Sequence, residues 1–111
     1  MTIEHLKTKA EEMSVSLSSR IGSEPHDILV RLEELNMMLA DSSLCLANAR
    51  YLQDNTINDA IISVLNDEVM SKASASIVNQ FIKSKAKEIN YIVNLFDRIN
   101  STIVHQIDSL R

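Results

Sequence analysis

The side chains that could carry out chemistry are few and lie far apart along the chain. The histidines are His5, His26 and His105, and no two of them lie within twenty residues of each other. A metal site on helices needs pairs such as His-x-x-x-His or Glu-x-x-His, which place two ligands on one face. No Glu stands three residues before any histidine, although Asp108 follows His105 at that distance. We therefore predict no metal site and no cofactor, and we interpret the histidines as solvated or interface residues.

The remaining candidates for catalysis are equally isolated. Cys45 lies in an apolar stretch with no histidine near it in sequence. A nucleophilic cysteine needs a base and electropositive surroundings, so a small buried side chain is the better interpretation. The acidic pairs Glu11–Glu12 and Glu33–Glu34 consist of adjacent residues, which point about 100° apart on a helix and cannot share a proton or a metal. The sequence therefore predicts that this protein is not an enzyme.

One segment, residues 69–87, contains basic residues and no acidic ones. Its basic residues are Lys72, Lys83, Lys85 and Lys87. Lys83 and Lys87 are one helical turn apart, and lysines close to a helix N-terminus are suited to phosphate. The segment has no arginine and a single aromatic residue, Phe81. Two interpretations stay open: contact with a nucleic-acid backbone, or a face that is solvated or contacts an acidic partner.

The composition restricts the fold more than any motif does. The chain has 111 residues, with 45% hydrophobic and 23% charged residues, but only one glycine, Gly22, and one proline, Pro25. Average usage would give about eight glycines and five prolines. These residues form the turns of β-hairpins and the loops that bind phosphate. Their scarcity argues against an all-β fold, a dinucleotide-binding domain and a P-loop enzyme.

Charge and hydropathy indicate where such a chain resides. The net charge is −4, there is one cysteine, and no uninterrupted apolar run exceeds four residues. A membrane-spanning helix needs roughly 20 apolar residues. A lone cysteine fits a reducing compartment, and the N-terminal residues have no signal-peptide pattern. We therefore expect a cytoplasmic protein that does not enter a membrane.

The first of the predicted helices covers about residues 2–21. Its apolar residues recur every three or four positions, as one face of a helix requires: Ile3, Leu6, Ala10, Met13, Leu17 and Ile21. Thr2 is suited to the N-cap. Gly22 follows where a left-handed residue would end the helix, and Pro25 fits the first turn of the next one. The pattern predicts a loop of about three residues between them.

The second predicted helix covers about residues 25–69. It carries one stripe of helical spacing, formed by Leu32, Leu35, Leu39, Ser42, Leu46 and Ala49. Six of the seven residues at 53–59 are polar, and the stripe resumes beyond them with a rotation. One interpretation is a break near Asn55, where Thr56 could cap a new helix. We favour a continuous helix that is kinked near 53–58, since no glycine or proline enforces a stop.

The third predicted helix covers about residues 74–111 and follows a polar turn at 66–74. Its stripe alternates spacings of three and four over nearly five heptads, with two polar members, Lys85 and Gln106. Polar residues within such a seam commonly set register or the number of partners. The apolar face is wider than a two-stranded coiled coil needs and is typical of three- or four-helix packing.

Together the three helices predict a single all-α domain over residues 1–111, an elongated antiparallel bundle of three or four helices. The short first helix cannot cover two long arms, so part of the apolar surface should be exposed and serve as an interface. We predict a homo-oligomer, a dimer or higher, or an adaptor that binds a protein partner. The predicted interface residues are Ile92, Phe96, Ile99, Ile103, Gln106 and Leu110, with Gln106 setting the register. Tyr51 and Tyr91 are candidate anchors at such an interface or residues at the edge of the core.

The C-terminal two thirds of the chain resemble a class of proteins of bacterial viruses. The resemblance rests on residues 39–53, 85–94 and 98–111, including the closing pattern His-Gln-x-Asp-x-Leu-Arg from His105 to Arg111. Over residues 36–111 the chain is similar to small uncharacterised helical proteins of bacterial prophages and phages. The resemblance implies a genomic setting among recombination or replication genes. It assigns no active residue.

Overall fold

The protein is described by a computed structural model that covers residues 1–111, and it is entirely helical. Helix α1 spans Ile3–Leu17, α2 spans Pro25–Asn66 and α3 spans Ala75–Leu110, with a short 3-10 turn at Met70–Lys72 between the two long helices. The molecule measures 66 × 23 × 17 Å. The predicted all-α fold and elongated bundle are confirmed.

The polar contacts between helices show how the three helices run. Arg50 pairs with Asp97, and Gln53 pairs with Asn90, so α2 and α3 form an antiparallel hairpin. Lys9 pairs with Asp41 of α2. Nearer the end of α1, the carbonyl of Ser16 accepts a hydrogen bond from Arg31, which lies earlier in α2. Helix α1 is therefore antiparallel to α2 and lies beside only one half of the hairpin.

Helix α1 ends four residues earlier than the apolar pattern predicts. The hydroxyls of Ser18 and Ser19 both donate to the carbonyl of Val15, at 2.8 and 3.3 Å. Serine side chains that bond the backbone compete with helix continuation, which explains the early stop. The loop to α2 consequently has seven residues instead of about three. The expectation of a left-handed Gly22 is wrong, because no residue has a positive φ. A Cβ at Gly22 would instead collide with the Asp27 carboxylate.

Helix α2 is continuous for 42 residues and has no break at 53–58. The polar side chains there are accommodated by local bonds and by α3. The Thr56 hydroxyl donates to the carbonyl of Leu52 at 2.8 Å, and the Gln53 amide donates to Asn90 of α3 at 2.7 Å. The helix ends at Asn66, three residues before the predicted end. Asp67 then caps the 3-10 turn by accepting hydrogen bonds from two backbone amides.

Helix α3 begins where the sequence indicates, with the Ser74 hydroxyl accepting a hydrogen bond from the amide of Ile77. It contributes the largest share of the core. All the buried apolar residues except Ala60 and Val64 form one cluster: Leu6, Ala10, Met13, Leu35, Cys45, Leu46, Ala49, Ala86, Ile89, Ile92, Val93, Phe96, Ile99, Ile103 and Ile107. All three helices contribute to it. Beyond the reach of α1, the hairpin continues as two helices alone.

Candidate interaction surface

The apolar stripe of α3 that the sequence predicts as an interface lies inside the molecule. Ile92, Phe96 and Ile103 are completely buried, and Ile99 is 4% exposed. Leu110 is partly buried and packs against the same core. These side chains pack against this chain's own helices, so the stripe is not open to a second molecule. Periodicity identifies a face that must be covered, but it does not identify which helix covers it. A surface for a partner has to be sought elsewhere.

Gln106, which the sequence predicts to set the register of an interface, makes its hydrogen bonds within the chain. Its amide nitrogen donates to the carbonyl of Leu17 at 2.9 Å, and its amide oxygen accepts from Arg31 at 3.1 Å. Arg31 also donates to the carbonyl of Ser16 at 3.0 Å, and it lies 3.5 Å from a carboxylate oxygen of Glu34. These contacts join the end of α1 to both long helices.

Sequence reasoning missed Arg31, which is only 4% exposed. The signal was available, because Arg31 lies one helical turn before Leu35 on the buried stripe of α2. A buried arginine needs hydrogen-bond partners for its guanidinium. Here the partners are the Ser16 carbonyl, which also accepts from the Ser19 amide, the Gln106 amide oxygen and the Glu34 carboxylate.

A second apolar stripe lies on the solvent side of α2. We call it the α2 outer face and define it as Val30, Met37, Ala40, Leu44, Ala47 and Tyr51. Met37 is 75% exposed, Leu44 58% and Tyr51 67%. From Met37 to Tyr51 the spacing alternates between three and four, which is the pattern of a helix seam. At 100° per residue, Leu44 lies about 180° around the helix from the buried Leu35.

The sequence analysis identified the buried stripe of α2 but not the α2 outer face. The signal was the seven-residue spacing of Val30, Met37, Leu44 and Tyr51. Toward the C-terminal end of α2, Ile61, Ile62 and Leu65 are also exposed, by 40%, 54% and 69%. Helix α2 is therefore apolar on two opposite faces, and only one of them is covered by this chain.

The four candidate phosphate contacts do not form one patch. Lys72 lies in the 3-10 turn, whereas Lys83, Lys85 and Lys87 lie in the first third of α3, and all four are exposed. Lys83 and Lys87 share the outer face of α3. Lys85 is two residues from each and lies about 160° around the helix. Its ammonium group is 5.5 Å from the centroid of the Phe81 ring, a favourable cation–π position.

The charges are divided between the two halves of the chain. Residues 1–69 carry twelve acidic and five basic residues, a net charge of −7, and residues 70–111 carry three acidic and six basic residues, a net charge of +3. On the outer face of α3, Arg98 continues the line of Lys83 and Lys87. These three cations are spread over about four helical turns, although the protein as a whole is acidic.

Cys45 is part of the core and is fully buried. Burial raises the pKa of its thiol, and the nearby Asp41 carboxylate acts in the same direction. A raised pKa keeps the thiol protonated, and the protonated form is the unreactive one. No group of three or more His, Cys, Asp or Glu side chains is arranged to hold a metal ion.

Comparison with known proteins gives no relative. No family model, no curated protein and no solved structure matches the chain. None of the three helices is both long enough and apolar enough to cross a bilayer. The α2 outer face is thus the feature of this molecule from which a function can be argued.

Proposed function

We propose that this protein is a non-enzymatic helical scaffold or adaptor, which associates with its own copies or with a partner helix through the α2 outer face. One observation carries the proposal: an apolar seam with heptad spacing, whose large side chains are 40–75% exposed, on a helix that is already packed on its opposite side. On a protein surface, contiguous exposed apolar patches commonly mark sites of interaction with another molecule.

The energy available from this face is sufficient for association. Full burial of a leucine- or methionine-sized side chain contributes about 1.5–3 kcal/mol. Met37, Leu44 and Tyr51 are each more than half exposed, so a partner helix would gain several such contributions. The molecule also exposes 7590 Å² in total. A compact protein of this mass exposes about 6,200 Å².

Light scattering of the purified chain at micromolar concentration tests the proposal. We expect a mass above the 12.5 kDa of the single chain, and we expect it to decrease on dilution. A clean monomer throughout the micromolar range would contradict self-association. A reducing agent is present at every concentration, so that a disulfide formed by Cys45 cannot be mistaken for non-covalent association.

A second candidate function is that of an accessory protein that contacts nucleic acid, and the divided charge favours it. The outer face of α3 presents Lys83, Lys87 and Arg98 on a region with a net charge of +3. Phosphate contacts of this kind are strongly salt-dependent. The resemblance to small prophage and phage proteins supplies a setting for either function, and the genes adjacent to this one would test that setting.

A gel-shift titration at low salt tests the second function. We expect a shift that weakens with added salt and is lost in the double variant Lys83→Glu, Lys87→Glu. The double variant Lys72→Glu, Lys85→Glu is the matched control, because it also reverses two charges and neither lies on the outer face of α3. Absence of any shift at low salt, or equal loss in the control, would contradict this function.

A further inference from the structure

We propose that the occupant of the α2 outer face is α2 of a second copy, antiparallel, with a two-fold axis that passes between residues 45 and 46. In this arrangement residue n of one helix faces residue 91 − n of the other. The inference rests on the proposed function and names its partner. It follows from how the exposed side chains of α2 match one another when the helix is set against itself.

The large and small residues of the face are complementary in this register. Leu44 faces the partner's Ala47, and Tyr51 faces the partner's Ala40. The alanines leave room for the large side chains and let the helix axes approach closely. Toward the ends, Val30 faces the partner's Ile61 and Leu29 faces the partner's Ile62. All of these positions are exposed in the single chain.

Neighbouring arrangements set more charge against apolar residues. A shift of one heptad in one direction sets Tyr51 against the partner's Glu33 and Val30 against the partner's Asp54, although Leu44 still faces an alanine. A shift in the other direction sets Leu44 against the partner's Asp54 and Leu65 against the partner's Glu33. A parallel pair sets Glu33 and Asp54 each against its own copy, and like charges directly opposite are destabilising. In the proposed register one kind of unfavourable pair remains on the seam, Met37 against the partner's Asp54, and the two-fold axis repeats it once.

The flanks of the seam are also compatible with this pairing. Only seam residues follow the 91 − n rule; on the two flanks of an antiparallel pair, residue n lies across from 89 − n or 93 − n. Glu34 therefore lies across from the partner's Asn55, Asp41 across from the partner's Asn48, and Arg50 across from the partner's Ser43. Each charge therefore meets an uncharged hydrogen-bonding side chain, and no two like charges meet. Residues 35–49 contain one charged residue, Asp41, which is already paired with Lys9 at 2.8 Å.

The area is sufficient for a dimer. Helix α2 runs from Pro25 to Asn66, so its midpoint lies between residues 45 and 46 and the two copies overlap along their whole length. A helix about 10 Å wide that lies along about 60 Å covers on the order of 600 Å² on each partner, or about 1,200 Å² in total. This value is within the range of specific interfaces. No register with less overlap reaches it.

Disulfide trapping tests the register. Two single variants, Ala40→Cys and Tyr51→Cys, are made in a Cys45→Ala background, given different masses by a tag and mixed under mild oxidation. We expect the mixed disulfide dimer to exceed both homodimers clearly. A parallel pair would instead give homodimers of Tyr51→Cys. Either homodimers in excess or no cross-link from a protein that light scattering shows to be dimeric would overturn the inference while leaving self-association intact.

A substitution on the seam tests the face. Leu44→Glu should weaken dimerisation at least about a hundredfold, because the two-fold axis places the change on both helices. Since Leu44 is solvent-exposed in the single chain, circular dichroism should show an unchanged helix content. Tyr91→Glu is the matched control, since Tyr91 is 62% exposed on the outer face of α3. Equal weakening by both variants, or by neither, would overturn the inference, whereas a monomeric wild-type protein would overturn the proposed self-association as well.

Discussion

Arg31 and Gln106 bond to each other and join the end of the short helix α1 to the long hairpin. Helix α1 ends with carbonyls that have no partner within the helix, as every helix does. Arg31 and Gln106 donate to two of them, those of Ser16 and Leu17. Because Arg31 is almost fully buried, its guanidinium needs hydrogen-bond partners inside the protein. The junction therefore stabilises the position of α1 and satisfies the arginine at the same time.

Replacement of Gln106 by leucine should destabilise the protein by about 1–3 kcal/mol, because it leaves Arg31 and the Leu17 carbonyl each without one hydrogen-bond partner. The loss should appear mainly in α1. Urea denaturation gives the free energy of unfolding, and amide hydrogen exchange locates the change. Gln80→Leu is the control, an exposed glutamine on the same helix. Equal effects of the two substitutions would show that the junction contributes nothing specific.

The buried thiol of Cys45 gives the stability a pH dependence above neutrality. Burial holds the pKa of this thiol above its ordinary value of 9.0 in the folded protein. A raised folded-state pKa means that the unfolded chain loses the proton first as the pH rises. The contribution of the Cys45 thiol to the free energy of unfolding is therefore complete below pH 9. It is lost as the pH rises through the folded-state pKa. Lys7 and Lys9, whose pKa values are raised by hydrogen bonds to Glu88 and Asp41, act in the same direction above pH 10.5.

We expect the free energy of unfolding to decrease as the pH is raised from 8 to 10, and the Cys45→Ala variant to show a shallower decrease. The measurement is urea denaturation at a series of pH values in the presence of a reducing agent. The slope of the free energy of unfolding against pH is compared between the two proteins, because the stability lost by replacing cysteine with alanine is the same at every pH and does not change the slope. A variant whose slope equals that of the wild-type protein would show that Cys45 does not titrate differently in the folded and unfolded states.

At the scale of the helices, α2 and α3 use their apolar residues differently. Helix α3 concentrates them on one wide face, which the rest of the chain covers. Helix α2 distributes them over two opposite faces, one around Leu35 and one around Leu44. A helix with two apolar faces packs on both sides when it is part of an assembly. Substitutions on the two faces should therefore have effects of different kinds.

Ile103→Ala should cost about 2–5 kcal/mol, because it leaves a cavity in the core of the single chain. The cost relative to the wild-type protein should be the same at every protein concentration. Leu44→Ala should lower the apparent stability only at concentrations where the dimer forms, since Leu44 is 58% exposed otherwise. Thermal unfolding across a range of concentrations distinguishes them. If the stability lost in Ile103→Ala depended on protein concentration, the α3 stripe would be an interface between copies after all.

The helices themselves could be predicted from spacing and capping residues alone. The polar turn and the apolar stripe predicted the start of α3 to within one residue, and the absence of glycine and proline favoured a continuous α2. Two features depended on tertiary contacts and could not be predicted in this way. The early end of α1 depends on serine hydroxyls that bond the backbone near Val15. The burial of the α3 stripe depends on which helices fold onto it, and this is why its residues were assigned to an interface.

At the scale of the molecule, the shape follows from the lengths of the helices. The radius of gyration is 18.9 Å. A compact chain of this length would have about 13 Å. The difference arises because α1 has 15 residues whereas α2 has 42 and α3 has 36. A long hairpin with a short third helix cannot become compact alone, but it gains thickness without gaining length when a second copy lies beside it.

Small-angle X-ray scattering should therefore show a dimer with twice the mass of the chain and nearly the same maximum dimension. The proposed pairing overlaps α2 along its full length, so the longest dimension should stay close to the 66 Å of the single chain while the cross-section becomes thicker. Leu44→Glu, measured in parallel, should give a particle of the same length and half the mass. A dimer close to twice as long as the single chain would indicate association through the ends of the hairpin, and would contradict pairing along α2.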